Sequence, residues 1–409
     1  MNIFAMAFRN VLRNRHRTVT TVLAMAFAAG LMIFYASLME GFVDSMEKNA
    51  VGVSVGEIQI HAEGYRDDPD LYKRIENYSA LIKKLEGKGF RAVPRLYGFG
   101  LAAAKNTSSG VMIEGVDLIR EPLVTTLNLH ILEGAWFSGE NPKEVVIGRK
   151  LARSLGVGIG DEVVIVGQAA DGSMANDLFY VRGILKSVGE KIDLGGFLIY
   201  ASAFRELMVL PHGTHEMAVV RQGTETNLKD AVKTVSNIAS GYETKSWREL
   251  MPVLARMLDV SKASLLVMLF ITYIAIGMVA LNSMLMSVFE RIREFGIMKA
   301  IGAEPFVIVK IIFTEAVVQV FAASVLAVAF GVPVSLYYET HGIDLTSLTG
   351  SSTLAGIGGV AFDAIWYCHV TPFTVTAPLI IMTAFVLTAV IYPGVKAAFI
   401  RPVEALHHI

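Results

Sequence analysis

The chain has 409 residues, of which 53% are hydrophobic and only 18% charged, and its mean hydropathy is +0.51, too apolar for an ordinary soluble protein of this size. A formal net charge of −1 excludes the global basic excess that nucleic-acid binding needs, so what matters is where the charges lie. The one cysteine, Cys368, excludes a disulfide within the chain but leaves an oxidising compartment open, because a large domain can build its core without cross-links.

In chain order, Ile3, Phe4, Ala7, Phe8, Val11 and Leu12 recur at helical spacing, with Asn2, Arg9 and Arg13 towards the other side. Residues 1–18 therefore predict an amphipathic helix in the cytoplasmic interface. A hydrocarbon layer of about 30 Å takes roughly 20 helical residues, and four segments are long and apolar enough: 19–38, 265–288, 306–336 and 374–392. The first has the basic front of a signal peptide, but its apolar stretch exceeds the roughly 7–15 residues of one, so an uncleaved anchor is expected. Within it, Ala24, Ala28, Ala29 and Gly30 are either a face for close helix approach or ordinary membrane-helix alanines.

Residues 39–264 have ordinary polar composition and are too long for a structureless loop. Glu57–His61, Ser109–Gly115, Glu162–Val166 and Phe179–Ile184 read as strands; Leu71–Leu85, Arg149–Leu155, Ala201–Met208 and Leu228–Ala239 read as helices. The ends of the segment, GFVDSMEKNAV from Gly41 and Trp247–Lys262, continue as helices that form a stalk. From Gly167 to Asp177 the sequence GQAADGSMAND, with Gln168, Asp171, Gly172, Ser173 and Met174, makes the polar tip of a hairpin flanked by strands.

Basic residues sort the chain across the membrane. Arg9, Arg13, Arg15, His16 and Arg17 precede the first span, Arg291, Arg293, Lys299 and Lys310 link the second to the third, and Lys396 and Arg401 follow the fourth, whereas 311–395 contain no Lys or Arg. The positive-inside bias puts both termini and the 289–305 link in the cytoplasm, and the 39–264 domain and the 337–373 loop outside.

The link itself reads ERIREFGIMKAIGAEP from Glu290. Ile292, Phe295, Met298 and Ile301 form a stripe flanked by charge, Gly302 stops the helix, and Pro305 suits the first turn of the next. Such a helix serves either as a docking element for a soluble partner or as a solvated surface helix. Glu315, about nine residues into the third span, costs roughly 2.5–3.5 kcal/mol there unless paired or near water; it serves either structural pairing or transport.

The run ERIREFGIMKAIGA closely resembles the signature of the FtsX, MacB and LolC/LolE permease family, as do VVIGRKLARSLGVGIGDEVVI from Val145, SWRELMPVLARMLDVSKAS from Ser246 and YPGVKAAFIRPVEAL from Tyr392. This resemblance implies an α-helical membrane protein with four transmembrane helices and a mixed α/β, two-lobed periplasmic domain of MacB-like topology, the inserted lobe near 115–195, in a bacterial inner membrane. It implies that Glu290, Arg291, Arg293, Glu294, Gly296, Lys299 and Gly302 form the face or turn that receives an ATPase. The hairpin tip looks like the position where LolC-type subunits carry a carrier-engaging loop, though it is short and lacks proline; a plain turn is the other reading.

No G-x-x-x-x-G-K-[ST] occurs, so ATP and Mg are expected on a separate ATPase subunit, in two copies, and this chain is expected to be a non-catalytic permease without a cofactor of its own. No G-x-S-x-G occurs, HGTHE (His212, His215, Glu216) reads as a polar surface turn rather than a metal site, and Cys368 reads as a packed residue rather than a nucleophile. Expected partners are a second permease copy or paralogue, membrane lipids, and a periplasmic lipoprotein carrier or adaptor, with no nucleic acid. The favoured function is lipoprotein release toward the outer membrane; the alternatives are MacB-like efflux and an FtsX-like signalling scaffold for cell-wall hydrolases, the last disfavoured by the large external domain.

Overall fold

Two units make up the chain, one built around residues Met1–Ser45, Leu258–Leu345 and Ile365–Ile409, the other around Met46–Met257 and Thr346–Ala364. They come from a computed structural model that describes residues 6, 9, 10, 13, 15–223, 227–344, 353–357, 360–363 and 365–400. The amphipathic stretch Ile3, Phe4, Ala7, Phe8, Val11 and Leu12, and the tail from Arg401, lie outside the described residues.

The described residues contain four helices long and apolar enough to cross a membrane: Arg15–Ala50, Pro252–Glu290, Pro305–His341 and Pro372–Phe399. The first has 36 residues, about 54 Å at a rise of about 1.5 Å per residue, so it outruns an apolar layer of about 30 Å. In the first unit its inner face is Met25, Ala29, Ile33 and Ala36, spaced to fall on one side of a helix. These pack in one core with Tyr273 and Ala280 of the second helix, Ala316 and Ala323 of the third, and Met382 and Val386 of the fourth. The small-residue stripe is used for close approach: a Cβ on Gly331 would lie 2.8 Å from the Gly30 carbonyl oxygen, so the first and third helices meet backbone to backbone.

In the second unit the strands are β1 (Ile58–His61), β2 (Phe90–Ala104), β3 (Thr107–Val116), β4 (Ile131–Gly134), β5 (Glu144–Ile147), β6 (Glu162–Gln168), β7 (Met174–Leu185), β8 (Gly196–Tyr200), β9 (Glu216–Arg221) and β10 (Glu243–Ser246). They run in the order β10-β1-β9-β2-β3-β8-β5-β7-β4, and β6 bridges β7 back to β2. The pairing β2-β3-β8-β5-β7-β6 thus closes on itself, with β3/β8 and β5/β7 parallel. Strand β2 belongs to both halves: Phe90–Arg95 pair with β9, and Leu96–Ala104 with β3.

Each half has its own core. Ile58, Ile60 and Val219 of the open half pack against Leu85 of helix Tyr78–Glu86 and Val235 of helix Leu228–Ile238, whereas Val145, Ile165, Phe179 and Phe197 fill the closed circuit. Local chemistry sets the helix starts. Asn227 accepts from the Lys229 N–H, and Ser246 and Glu249 form a capping box at Trp247.

The helix expected over Leu71–Leu85 begins only at Tyr78. Ahead of it, the Asp70 carboxylate accepts from the Tyr72 N–H at 3.0 Å, and Ile75 and Thr214 exchange backbone hydrogen bonds at 2.7 and 3.1 Å. Those partners satisfy the groups a helix would have used.

Candidate functional site

The second long helix ends at Glu290, Arg291 leaves helical geometry, and a separate helix spans Ile292–Ala300. Gly302, with φ +96°, closes it in a left-handed conformation that only glycine adopts without strain, and Pro305 starts the next helix. Phe295 is the hydrophobic pin, 1% exposed in the core of the first unit. Ile292 and Met298 are half-buried beside it, whereas Ile301, expected on the same stripe, is 81% exposed because it falls on the turn rather than the helix.

Arg291 is the centre of a buried network. Its Nη1 donates to Glu315 Oε1 at 2.6 Å, its Nε donates to Glu294 Oε2 at 2.9 Å, and its guanidinium lies 5.0 Å from the Phe295 ring centroid. Glu315 Oε1 also accepts from Asn10 Nδ2 at 2.8 Å. The acid in the third helix is therefore paired, which removes most of its cost of burial. Burial alone would discourage the Arg291 charge, yet Glu315 and then Glu294 overcompensate and raise its pKa. Glu294 is pulled below the usual carboxylate range, burial being outweighed by hydrogen bonds from Arg13 and Arg291.

Further pairs fasten the surroundings. Arg13 Nη1 meets Glu294 Oε1 at 2.8 Å and Arg17 Nη1 meets Glu290 Oε2 at 2.7 Å. Lys299 Nζ donates to the carbonyls of Ala398 and Ile400 at 2.8 and 2.7 Å, satisfying groups left open at the end of the fourth helix. Of the residues expected to receive an ATPase, Arg291 and Lys299 thus hold the short helix to its neighbours, Gly296 is buried, Glu290 and Glu294 stand half-exposed beside arginines, and Arg293 and Gly302 are exposed. Sequence reasoning left Ile297, 48% exposed, out of the outward surface. It alternates on the helix with the buried residues, a signal that a stripe drawn every three residues misses.

Elsewhere, the HGTHE segment is no surface turn. His212 is exposed, but His215 and Glu216 are buried, because β9 begins here. His215 Nδ1 accepts from the Tyr97 N–H at 2.9 Å and Nε2 faces the Leu71 carbonyl at 3.2 Å; burial lowers its pKa to about 4. The Gln168–Met174 turn is tight: Ser173 donates backbone and side-chain hydrogen bonds to Asp171 Oδ1 at 2.9 and 2.6 Å, and Met174 is 74% exposed. Cys368 is buried.

Comparison with known proteins bears on both units. Residues 18–237, more than half of the chain, match the MacB-like periplasmic core domain, and residues 266–402 match the FtsX-like permease C-terminal. A pyoverdine export ATP-binding/permease protein, PvdT, from Pseudomonas syringae pv. syringae is 26% identical over 379 residues, covering 87% of this chain and 56% of the relative. PvdT of Pseudomonas savastanoi pv. phaseolicola is 24% identical over 376 residues, with the same coverages. The chain thus spans little more than half the length of these curated relatives. Among solved structures, the periplasmic region of MacB from Actinobacillus actinomycetemcomitans gives a TM-score of 0.36 at 12% identity, over 50% of this chain and 93% of that one. The extracellular domain of the transporter YknZ from Gram-positive bacteria gives 0.33 at 13%, over 46% and 99%. With a MacB-like core domain joined to an FtsX-like permease region, this chain belongs to the MacB/FtsX family of ABC-transporter permeases.

Proposed function

We propose that this chain is the permease subunit of an ABC transporter in a bacterial inner membrane, with both termini cytoplasmic, and that an ATPase carried on a partner polypeptide docks on the 290–305 link. The observation that carries this reading is the division of labour in that link. Arg291 and Lys299 anchor the short helix to the third and fourth long helices, while Arg293, Ile297, Ile301 and Gly302 are left outward. A push on the outward face then moves the anchored helices together. Two permeases, identical or paralogous, face two ATPases, and closure driven by ATP and Mg on the ATPases travels along the first and second helices into the sequence of the periplasmic core domain.

The cargo is an envelope substrate. The first reading is lipoprotein release toward the outer membrane, in keeping with the resemblance of the link and tail to the family that includes the LolC/LolE permeases, with the Gln168–Met174 turn as the carrier contact. The second reading, export of a small molecule, is favoured by the names of the curated relatives. Purification of the chain from its native membrane, with bound proteins identified by mass spectrometry, tests both. An ATPase with lipid-modified proteins or a soluble carrier supports release; an ATPase with a periplasmic adaptor supports export; a preparation without any ATPase overturns the transporter reading.

A further inference from the structure

The second unit contains a cavity of about 650 Å³, a size that takes a drug-sized organic molecule. Its lining includes two buried carboxylates, Glu114 and Glu216, the aromatic rings of Tyr97 and Phe99, and apolar Met112. The carboxylates belong to a cluster that is short of positive charge. Arg95, its one buried guanidinium, pairs with Glu121 through Nη2 at 2.5 Å and Nε at 3.2 Å, and through Nη1 with Glu216 at 3.0 Å and the Ser54 carbonyl at 2.5 Å. Glu216 gains a further contact, to His61 Nε2 at 3.2 Å.

Glu114 receives what is left. Its side chain is 6% exposed, its Oε1 lies 3.7 Å from Arg95 Nε, and its only hydrogen bond among the described residues comes from Tyr97 Oη at 3.5 Å. Oε2 has no partner among them. Buried carboxylates are normally paired, so this one is incomplete. Burial first, with Glu121 and Glu216 adding to it against Arg95 and Lys191, pushes its pKa up to about 7. The Nδ1 of His61, another lining residue, is buried without a hydrogen-bond partner among the described residues. A cation already favours the place: the Lys191 ammonium lies 5.5 Å from the Tyr97 ring centroid, a cation–π position, and Lys191 is exposed and has no ion pair among the described residues.

We propose that this cavity binds a small organic cation, an ammonium or guanidinium group on an apolar body, with Glu114 Oε2 as its charged anchor, Tyr97 as its cation–π face, and Phe99 and Met112 against the apolar part. An anion would instead face Glu114 and Glu216, whose buried counter-charge, Arg95, is already shared with Glu121, leaving the more accessible Lys191 and Arg66 of the lining to attract it.

The full chain in nanodiscs of zwitterionic lipid, with empty discs as the blank, is titrated by calorimetry with phenethylamine, 2-phenylethanol and 3-phenylpropionate. The amine is expected to bind about tenfold or more tightly than the alcohol, as a hydrogen bond to a charged group requires, and the acid not to bind. Glu114→Gln, nearly isosteric, brings the amine down to the level of the alcohol, and Lys191→Ala, at an exposed position, strengthens amine binding by removing the resident cation. Equal or stronger binding of the alcohol or the acid, amine binding unchanged by Glu114→Gln, or no amine binding at all overturns the proposal. Should Glu114→Gln not fold, the Lys191→Ala titration decides: no gain in amine affinity overturns it.

Discussion

Each unit is organised around a buried arginine, and the two are partnered differently. Arg291 shares its network with Glu294 and Glu315, and Arg13 joins from outside, so cations and acids balance and each polar group has a nearby partner. Arg95 faces three acids, Glu114, Glu121 and Glu216, and one of them stays incomplete. Balance describes a fastening that holds elements in one arrangement, whereas an excess of acid describes a place still able to accept a positive charge. The same residue type thus serves attachment in one unit and reception in the other, and the number of carboxylates within reach decides which.

The comparison is broken most forcefully at Arg95. Arg95→Met removes the sole buried guanidinium from among three acids and is expected to cost about 5 kcal/mol, the upper end for breaking a buried pair, read from denaturant or thermal unfolding of the purified chain; a loss under about 1 kcal/mol would contradict the described cluster. Arg291→Met should cost about 3–4 kcal/mol, while the double replacement Arg291→Met with Glu315→Leu returns near to the parent stability, since an apolar pair substitutes for a buried ion pair at little cost. Arg13→Ala, whose pair with Glu294 is half-exposed, should lose less than about 1 kcal/mol.

A finer distinction comes from pH. The Glu114 pKa is raised from 4.5 to about 7 in the folded chain, so its contribution to stability is present below pH 4.5 and is lost as pH rises towards 7. Its surroundings in that cluster are Arg95, Tyr97, Glu121, Glu216 and Lys191. His215, lowered to about 4, and Glu216, lowered to about 2, act in the opposite sense: the stability they provide is lost as pH falls. Comparing the parent with Glu114→Gln isolates the one group. The parent's stability relative to the variant should fall between about pH 4.5 and 7, and a flat difference across that window would refute the assignment.

Four apolar helices, the basic link and the strands β6 and β7 were legible because each rests on a local pattern: hydropathy over a long window, charge at the span ends, alternation around a turn. Strand β2 was not. Pro94, Gly98 and Gly100 punctuate it, residues that local reasoning assigns to turns, and only pairing with β9, β3 and β6 makes it the longest strand of the described sheet. The acid-rich cluster escaped for a related reason, since Arg95, Glu114, Glu121 and Glu216 are dispersed in sequence and each alone looks like an ordinary surface charge. Burial, which turns them into a site, is a property of the assembled sheet. In the 289–305 link the charges were visible but their directions were not, because Arg291 and Arg293 differ only in which side of one helical turn they face.

The placing of β1 between β9 and β10 has a consequence for synthesis. Ile58 pairs with Val219 on one side and Ser246 on the other, so a strand made early waits for two made late. At about 5–20 residues per second, the roughly 180 intervening residues take on the order of 10–40 s to appear. The closed circuit from Leu96 to Tyr200 has nearly all its partners within its own sequence and can assemble in that interval, leaving β1 with an open edge that invites foreign strands. The nascent chain is therefore most vulnerable to misassociation before residue 216 emerges, while both edges of β1 are open, and the pairing of β10 up to residue 246 ends its period of risk.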